Sequence, residues 1–289
     1  MSAADSLPAR HPAVAVGLVV TSALTFSTGG LFVRSLHESD AWTTVFWRSL
    51  SACVSLGLYL AARERSGAVR SIRRMGVPGL AVGLAFAVSS VAMVAALTRT
   101  SVAVTLVILA LTPLAAALLA RVLIGEPIRG HTWAATTITV AGVAYMVSGP
   151  GANASVDGVA IALLIPLAFG AGAVVLRRHP EIGMVPAMLL ACVISVVVAL
   201  PFADPMGVDR HDLIVLCAFG FAQLGVGLAL FAIGGPGMPA TEATLLAMLE
   251  PVLGPIWVWV FKDEYPGTAA LIGGSFVFAT LAAHTWYAS

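Results

Sequence analysis

Apolar residues run through this chain in blocks of about twenty, and short polar clusters separate the blocks. The blocks fall at 12–34, 41–62, 75–98, 101–123, 130–149, 157–177, 184–203, 212–234, 239–261 and 267–287. A run of 18 or more apolar residues is long enough to cross a bilayer core of about 30 Å as a helix. Gly, Pro and charged residues mark the breaks: Arg63-Glu64-Arg65, Gly125-Glu126-Pro127, Gly149-Pro150-Gly151, Arg177-Arg178, 234–239 and Asp263-Glu264. Only helices or closed barrels satisfy the backbone in hydrocarbon. The blocks are too long and too continuous for the alternating ten-residue strands of a barrel. The pattern predicts an all-α membrane protein of ten transmembrane helices, spans 1 to 10 in chain order.

Composition agrees. Of 289 residues, 59% are hydrophobic and 10% charged, and the mean hydropathy is +0.98, so no charged surface is left for a soluble fold. A net charge of +1 says nothing of partners, and no basic cluster is large enough to suggest nucleic acid, so none is expected. Positive charge is uneven across the connections. Arg10, Arg63, Arg65, Arg70, Arg73, Arg74, Arg121, Arg129, Arg177 and Arg178 lie on one side, against Arg34, Arg99, Arg210 and Lys262 on the other. The positive-inside rule then puts both termini in the cytoplasm. Trp42, Trp257 and Trp259 fall near the outer boundary, and Trp133 and Trp286 near the inner one, as interfacial belts do. Cys53, Cys192 and Cys217 sit inside apolar blocks without ligand spacing and read as packing residues.

The chain is also internally duplicated. SVAVTL at 101–106, Leu111-Thr112-Pro113 and Ile124-Gly125-Glu126 align without a gap on PATEAT at 239–244, Leu249-Glu250-Pro251 and Lys262-Asp263-Glu264. Phe26-Ser27-Thr28-Gly29 with Arg34 likewise matches Phe169-Gly170-Ala171-Gly172 with Arg177. Residues 1–150 and 151–289 are thus two five-span repeats. Five is odd, so the second repeat starts on the opposite side and the two are inverted. Inverted repeats place a solute site near midplane and let access alternate as one half moves against the other.

At these residues the chain resembles the EamA-type branch of the drug/metabolite transporter superfamily. The resemblance rests on 96–120 (ALTRTSVA, then Leu111-Thr112-Pro113), on Gly125-Glu126 and on their second-half copies. It also rests on 41–50, which resembles the Arg-bearing second span of that family. It covers essentially the whole chain. It implies an inner-membrane exporter or carrier of small metabolites, often amino acids, and here aromatic ones among them. Asp263 departs from the Gly that the pattern expects, and 231–238 is unusually rich in Gly and Pro.

Glu250 is the most informative polar residue. It lies about eleven residues, or about 16 Å, into span 9. A carboxylate there costs about 2.5–3.5 kcal/mol on insertion scales and must face a cavity or a partner. It reads equally as a proton or amine site and as a structural group pinning the bend at Pro251. Arg48 lies about 10 Å into span 2. It could meet Glu250 or a solute carboxylate, but outward snorkelling is the simpler reading. Glu242 reads as a helix-start charge, and Glu126, Asp263 and Glu264 as capping or loop contacts. Pro113 and Pro251 free the carbonyls of Leu109 and Ala247 and mark spans 4 and 9 as bent cavity walls, with Pro166 a further hinge in span 6. Further lining candidates are Phe26, Ser27, Thr28, Ser89, Ser90, Met93, Thr105, Thr112, Phe169 and Gln223, though small and hydroxyl residues also glue membrane helices together.

The chain lacks a Walker loop, a zinc-helix motif and a nucleophile elbow, and its six His lie near span ends or in loops. No cofactor, metal or catalytic residue is expected. The reading is a secondary carrier of small amphipathic solutes in the lipid bilayer. An intramembrane enzyme on a lipid-linked substrate and a non-transporting scaffold are the alternatives. The GxxxG at Gly79 and Gly83 reads as packing within the bundle, and the protein as a monomer.

Overall fold

The computed structural model describes residues 12–64, 75–125, 130–148, 154–237, 246–247 and 249–288. Among them every regular element is helical, and ten helices follow the ten apolar blocks. We number them α1 (Pro12–Ser27 continued by Gly29–Arg34), α2 (Ala41–Glu64), α3 (Gly76–Leu97), α4 (Val102–Leu109 continued by Thr112–Ile124) and α5 (Gly130–Ser148). The second half holds α6 (Val156–Arg178), α7 (Met184–Ala199), α8 (Arg210–Gly237), α9 (described over Leu249–Lys262) and α10 (Thr268–Ala288). By length and composition α1, α2, α3, α6 and α8 each suffice to cross a bilayer, and the two pieces of α4 together make a sixth span. α7 is apolar but stops at Ala199 rather than 203. Leu200 still has helical dihedrals, and Pro201 follows it with no N–H to continue the helical hydrogen bonding. Residues 238–245, which hold Glu242 and the expected start of span 9, lie outside the described residues, as does Glu126.

Three helices are irregular where the sequence places Gly, Pro or hydroxyl residues. α1 breaks at Thr28, whose hydroxyl turns back to the Thr25 carbonyl at 2.6 Å, while Ser27 Oγ donates to the Leu24 carbonyl at 2.7 Å. α4 bends by 41° between Leu109 and Thr112, just ahead of Pro113. The Leu109 carbonyl that Pro113 leaves without a partner accepts the Thr112 hydroxyl at 2.5 Å, so the bend costs no bare acceptor. α8 contains an eight-residue π-helix, Phe219–Val226, between two α-helical pieces. α6, by contrast, continues through Pro166, which is buried inside it. The expected hinge there is a proline embedded in a continuous helix.

Helix pairing shows how the halves fit. α3 packs on α6 as α8 packs on α1, α4 on α6 as α9 on α1, and α7 on α3 as α2 on α8. The remaining large pairs, α2 with α7, α4 with α9 and α5 with α10, join a helix to its own repeat mate. Exchanging each helix for its mate maps this set onto itself. An inverted twofold relation between the repeats accounts for that. Gly142 and Gly273 show the close approach of α5 and α10 at residue level. A Cβ on Gly142 would lie 2.9 Å from Val277 and 3.1 Å from the Gly273 carbonyl, and one on Gly273 would lie 2.5 Å from Met146 and 2.6 Å from the Gly142 carbonyl. Each glycine meets the other's backbone and the side chain four residues beyond it. Most large contacts therefore cross between repeats, so the halves interleave and are not two separate blocks. Gly83 of the GxxxG pair faces Leu190 of α7 within the bundle.

The repeat also predicts a backbone effect. Gly125 ends α4 with φ 74°, and its repeat mate Asp263 ends α9 with φ 52°, the one non-glycine residue described in the left-handed region. Asp tolerates that region better than most residues but carries a Cβ penalty there that Gly does not. Asp263→Gly is expected to leave thermal stability unchanged or raise it by about 1 kcal/mol. Gly125→Val is expected to lower it. Paired melts in detergent check both.

Candidate functional site

Eight of the ten helices converge on one chamber of about 430 Å³, and among the described residues none of α5 or α10 lines it. Most of the wall is apolar: Phe26, Phe86, Phe169 and Phe231 with Met93, Met184 and Met188. Volume and character match those of small-molecule sites. Bending at Ala110 and Leu111 turns α4 so that Leu109, Ala110, Thr112 and Pro113 all reach the chamber.

Polar groups cross one level of this wall as a chain. Arg48 is only 5% exposed. Its guanidinium donates to Ser90 Oγ at 2.8 Å and to Gln223 Oε1 at 3.4 Å, and lies 4.7 Å from the Phe219 ring centroid. Gln223 in turn donates to the Phe26 carbonyl at 3.2 Å. The chain links α3, α2, α8 and α1, and so both repeats. One donor, Arg48 Nε, is buried without a partner. Arg48 therefore does not snorkel: a buried guanidinium needs acceptors, and the π-helix of α8 supplies Gln223 while α3 supplies Ser90. Glu250 faces the same chamber, half-buried. Among the described residues it makes no hydrogen bond and no ion pair, so Arg48 and Glu250 share the space without touching.

Of the other predicted lining residues, Phe26, Ser89, Ser90, Met93, Thr112, Phe169, Gln223 and Ala247 border the chamber, as do Pro113 and Pro251. Ser27, Thr28, Thr105 and Pro166 do not. Successive helix residues point about 100° apart, so Phe26, Ser27 and Thr28 cannot all face one cavity. Ser27 faces α9, where its oxygen accepts Trp257 Nε1–H at 2.8 Å. That bond turns the indole N–H of Trp257 toward α1. Thr105 is fully buried and bonds the Ser101 carbonyl one turn back. The sequence reading missed Phe86, Met184, Met188 and Phe231. Phe86 sits one turn before Ser89 and Ser90, and Met184 and Met188 are one turn apart on α7, so helical spacing was the available signal.

The chamber is not centred. Its lining reaches Met184, the first residue of α7, at the end of the bundle where α1 begins and α10 ends. Toward the other end it stops at the Arg48–Gln223 chain. Beyond that level Arg34 forms an ion pair with Glu264 and donates to the Leu97 carbonyl at 2.6 Å and the Thr100 carbonyl at 3.0 Å. Glu264 also accepts the Val102 amide at 3.0 Å. Asp212 accepts the backbone amides of His37, Glu38 and Ser39 at 2.9, 3.2 and 3.0 Å. These bonds tie α1, α4, α8 and α9 together across the far end. A shallower hollow of about 340 Å³, lined by Arg34, Arg99, Glu264 and Tyr265 among others, lies at this latch.

A model of the EamA-like transporter family matches residues 13–148 and again 157–285. The chain belongs to the EamA-like transporter family. Two matched copies coincide with α1–α5 and α6–α10, so the family unit is the five-helix repeat. Among solved structures, one titled only "Crystal structure of protein" aligns with a TM-score of 0.65 at 20% identity, covering 96% of this chain and 99% of that one. That likeness shows a shared fold. Among curated proteins, none matches the sequence. As a family member the chain is a multi-pass membrane transporter of small molecules and not an enzyme.

Proposed function

We propose that this transporter is a secondary carrier that exports small amphipathic metabolites, most of all amino acids including aromatic ones, from the cytoplasm across the inner membrane. The solute would occupy the chamber with its apolar part among Phe26, Phe86, Phe169 and Met93. Glu250 would face its amine and Arg48 its carboxylate. The observation that carries this reading is a largely apolar chamber holding one carboxylate with no hydrogen-bonding partner among the described residues and one buried guanidinium with a spare donor. Access would alternate by rearrangement of the interleaved repeats, with the termini cytoplasmic and the monomer as the working unit. The open side of the chamber is then the cytoplasmic one, and the Arg34–Glu264 latch closes the outside.

Purified protein in liposomes preloaded with unlabelled amino acid tests this. Saturable counterflow of labelled phenylalanine, tyrosine or tryptophan is the expected result, and no counterflow with any amino acid would overturn it. Glu250→Gln is expected to weaken uptake of zwitterions by roughly ten- to a hundredfold, the worth of one lost hydrogen bond to a charged group. Competition by analogues lacking the amine is expected to be unaffected.

A further inference from the structure

We propose that Cys53 and Cys192 form an oxidisable pair, which a lipid-soluble hydroperoxide converts into a disulfide joining the two repeats. The same tripeptide, Ala52-Cys53-Val54 and Ala191-Cys192-Val193, occurs once in α2 and once in α7. These helices are repeat mates and pack directly on each other. Mates related by an inverted twofold run antiparallel. Cys53 and Cys192 share one hydrophobic cluster with Ala52, Leu56 and Ala191, and their thiols lie within hydrogen-bonding reach of each other. In the register that sets Phe26 on Phe169 and Arg34 on Arg177, Cys53 corresponds to Val196 and Cys192 to Ser49, so the two are not copies of one residue; they meet because α2 and α7 pack against each other as antiparallel mates. Both are free thiols, and neither borders the chamber.

Access decides the reagent. Cys192 is 3% exposed, whereas Cys53 is partly exposed. Cys53 lies about twelve residues into α2, about 18 Å from its start, well inside the hydrocarbon. An oxidant that dissolves in lipid reaches it there. The Cys53 sulfur attacks the terminal peroxide oxygen, so an S–O bond forms and the O–O bond breaks. The alcohol leaves with the thiol proton, and Cys53 becomes a sulfenic acid. The Cys192 sulfur then attacks the Cys53 sulfur, an S–S bond forms, and the hydroxyl departs with the second proton as water. Two thiols lose two electrons, and one hydroperoxide becomes one alcohol and one water. The bridge fixes one crossing point between α2 and α7, and with it the relation of the two halves.

The test treats the wild-type protein in liposomes with cumene hydroperoxide and counts thiols with a maleimide. Three free cysteines should fall to one, Cys217. Peptide mapping should recover Cys53 and Cys192 in one cross-linked species, about 2 Da lighter than its two parts, and dithiothreitol should restore both thiols. Cys53→Ser and Cys192→Ser should each abolish the species. Sulfinic or sulfonic acids at the two sites without a cross-link, or a bridge only between separate chains, would overturn the proposal. So would recovery of both thiols unmodified. The readout is covalent, so it stands or falls independently of any transported solute.

Discussion

Replacing Arg48 with Ala is expected to abolish counterflow, by a hundredfold or more, while leaving a folded bundle. The side chain joins three helices, α2, α3 and α8, through Ser90, Gln223 and the Phe219 ring, and it is the one cation described in the chamber wall. Its removal takes away the group that would face a solute carboxylate. It also leaves Gln223 Oε1 and Ser90 without their shared partner. A lost hydrogen bond to a buried group costs about 1–3 kcal/mol. Removing a buried charge at the same time relieves its desolvation, so the net loss of stability stays within that range. Arg48→Lys separates the two roles. A lysine keeps the charge but cannot fork to two acceptors or lie flat on Phe219. It should retain measurable uptake with a raised KM. Counterflow and melting temperature, measured together on both variants, check this, and wild-type uptake by Arg48→Ala would remove the chamber from the transport path.

The membrane class, the span order and the repeat are legible because they are written in long-range pattern. Apolar length sets the spans, and Leu111-Thr112-Pro113 with Leu249-Glu250-Pro251 announces the duplication. The bend in α4 is legible too, since a proline removes one donor at a definable carbonyl. What sequence does not carry is azimuth. Ser27 and Thr28 have the same chemistry as Ser89 and Ser90, yet the first pair turns to α9 and to its own helix while the second borders the chamber. Nor does any periodicity announce the π-helix in α8, because its effect is to shift phase within an unbroken apolar run. The fate of Arg48 depends on that shift. Snorkelling is the natural expectation for an arginine about 10 Å deep, and only the placement of Gln223 and Phe219 opposite it makes an inward position cheaper. The Arg34–Glu264 latch is similarly invisible, because its partners lie in different repeats and neither is unusual at a helix end.

Gly220→Ala is expected to be the most destabilising single-methyl change in the described structure's polar core. In the π-helix, successive turns are closed by bonds five residues apart, and Gly220 and Gly225 fall five apart on the face that meets α2. They approach α2 at Arg48 and Ser55, which are two turns apart on that straight α-helix. A Cβ on Gly220 would overlap the Arg48 carbonyl oxygen and come within 2.8 Å of Ser51 Cβ. Neither obstacle can rotate away, since one is backbone and the other is the first atom of its side chain. α8 must therefore withdraw, taking Gln223 from Arg48 and stretching the Ser51 bond to the Cys217 carbonyl, now 2.7 Å. Overpacking alone costs about 1–3 kcal/mol, and the broken polar contacts add to it. Gly57→Ala, in the same α2, is the matched control, because a Cβ there meets nothing within 4 Å. It should keep or slightly raise the melting temperature, by no more than the roughly 1 kcal/mol that separates Ala from Gly in a helix. The difference between the two melts isolates the close approach of α8 to α2. Equal melts would mean that the π-helix is not held there by its glycines.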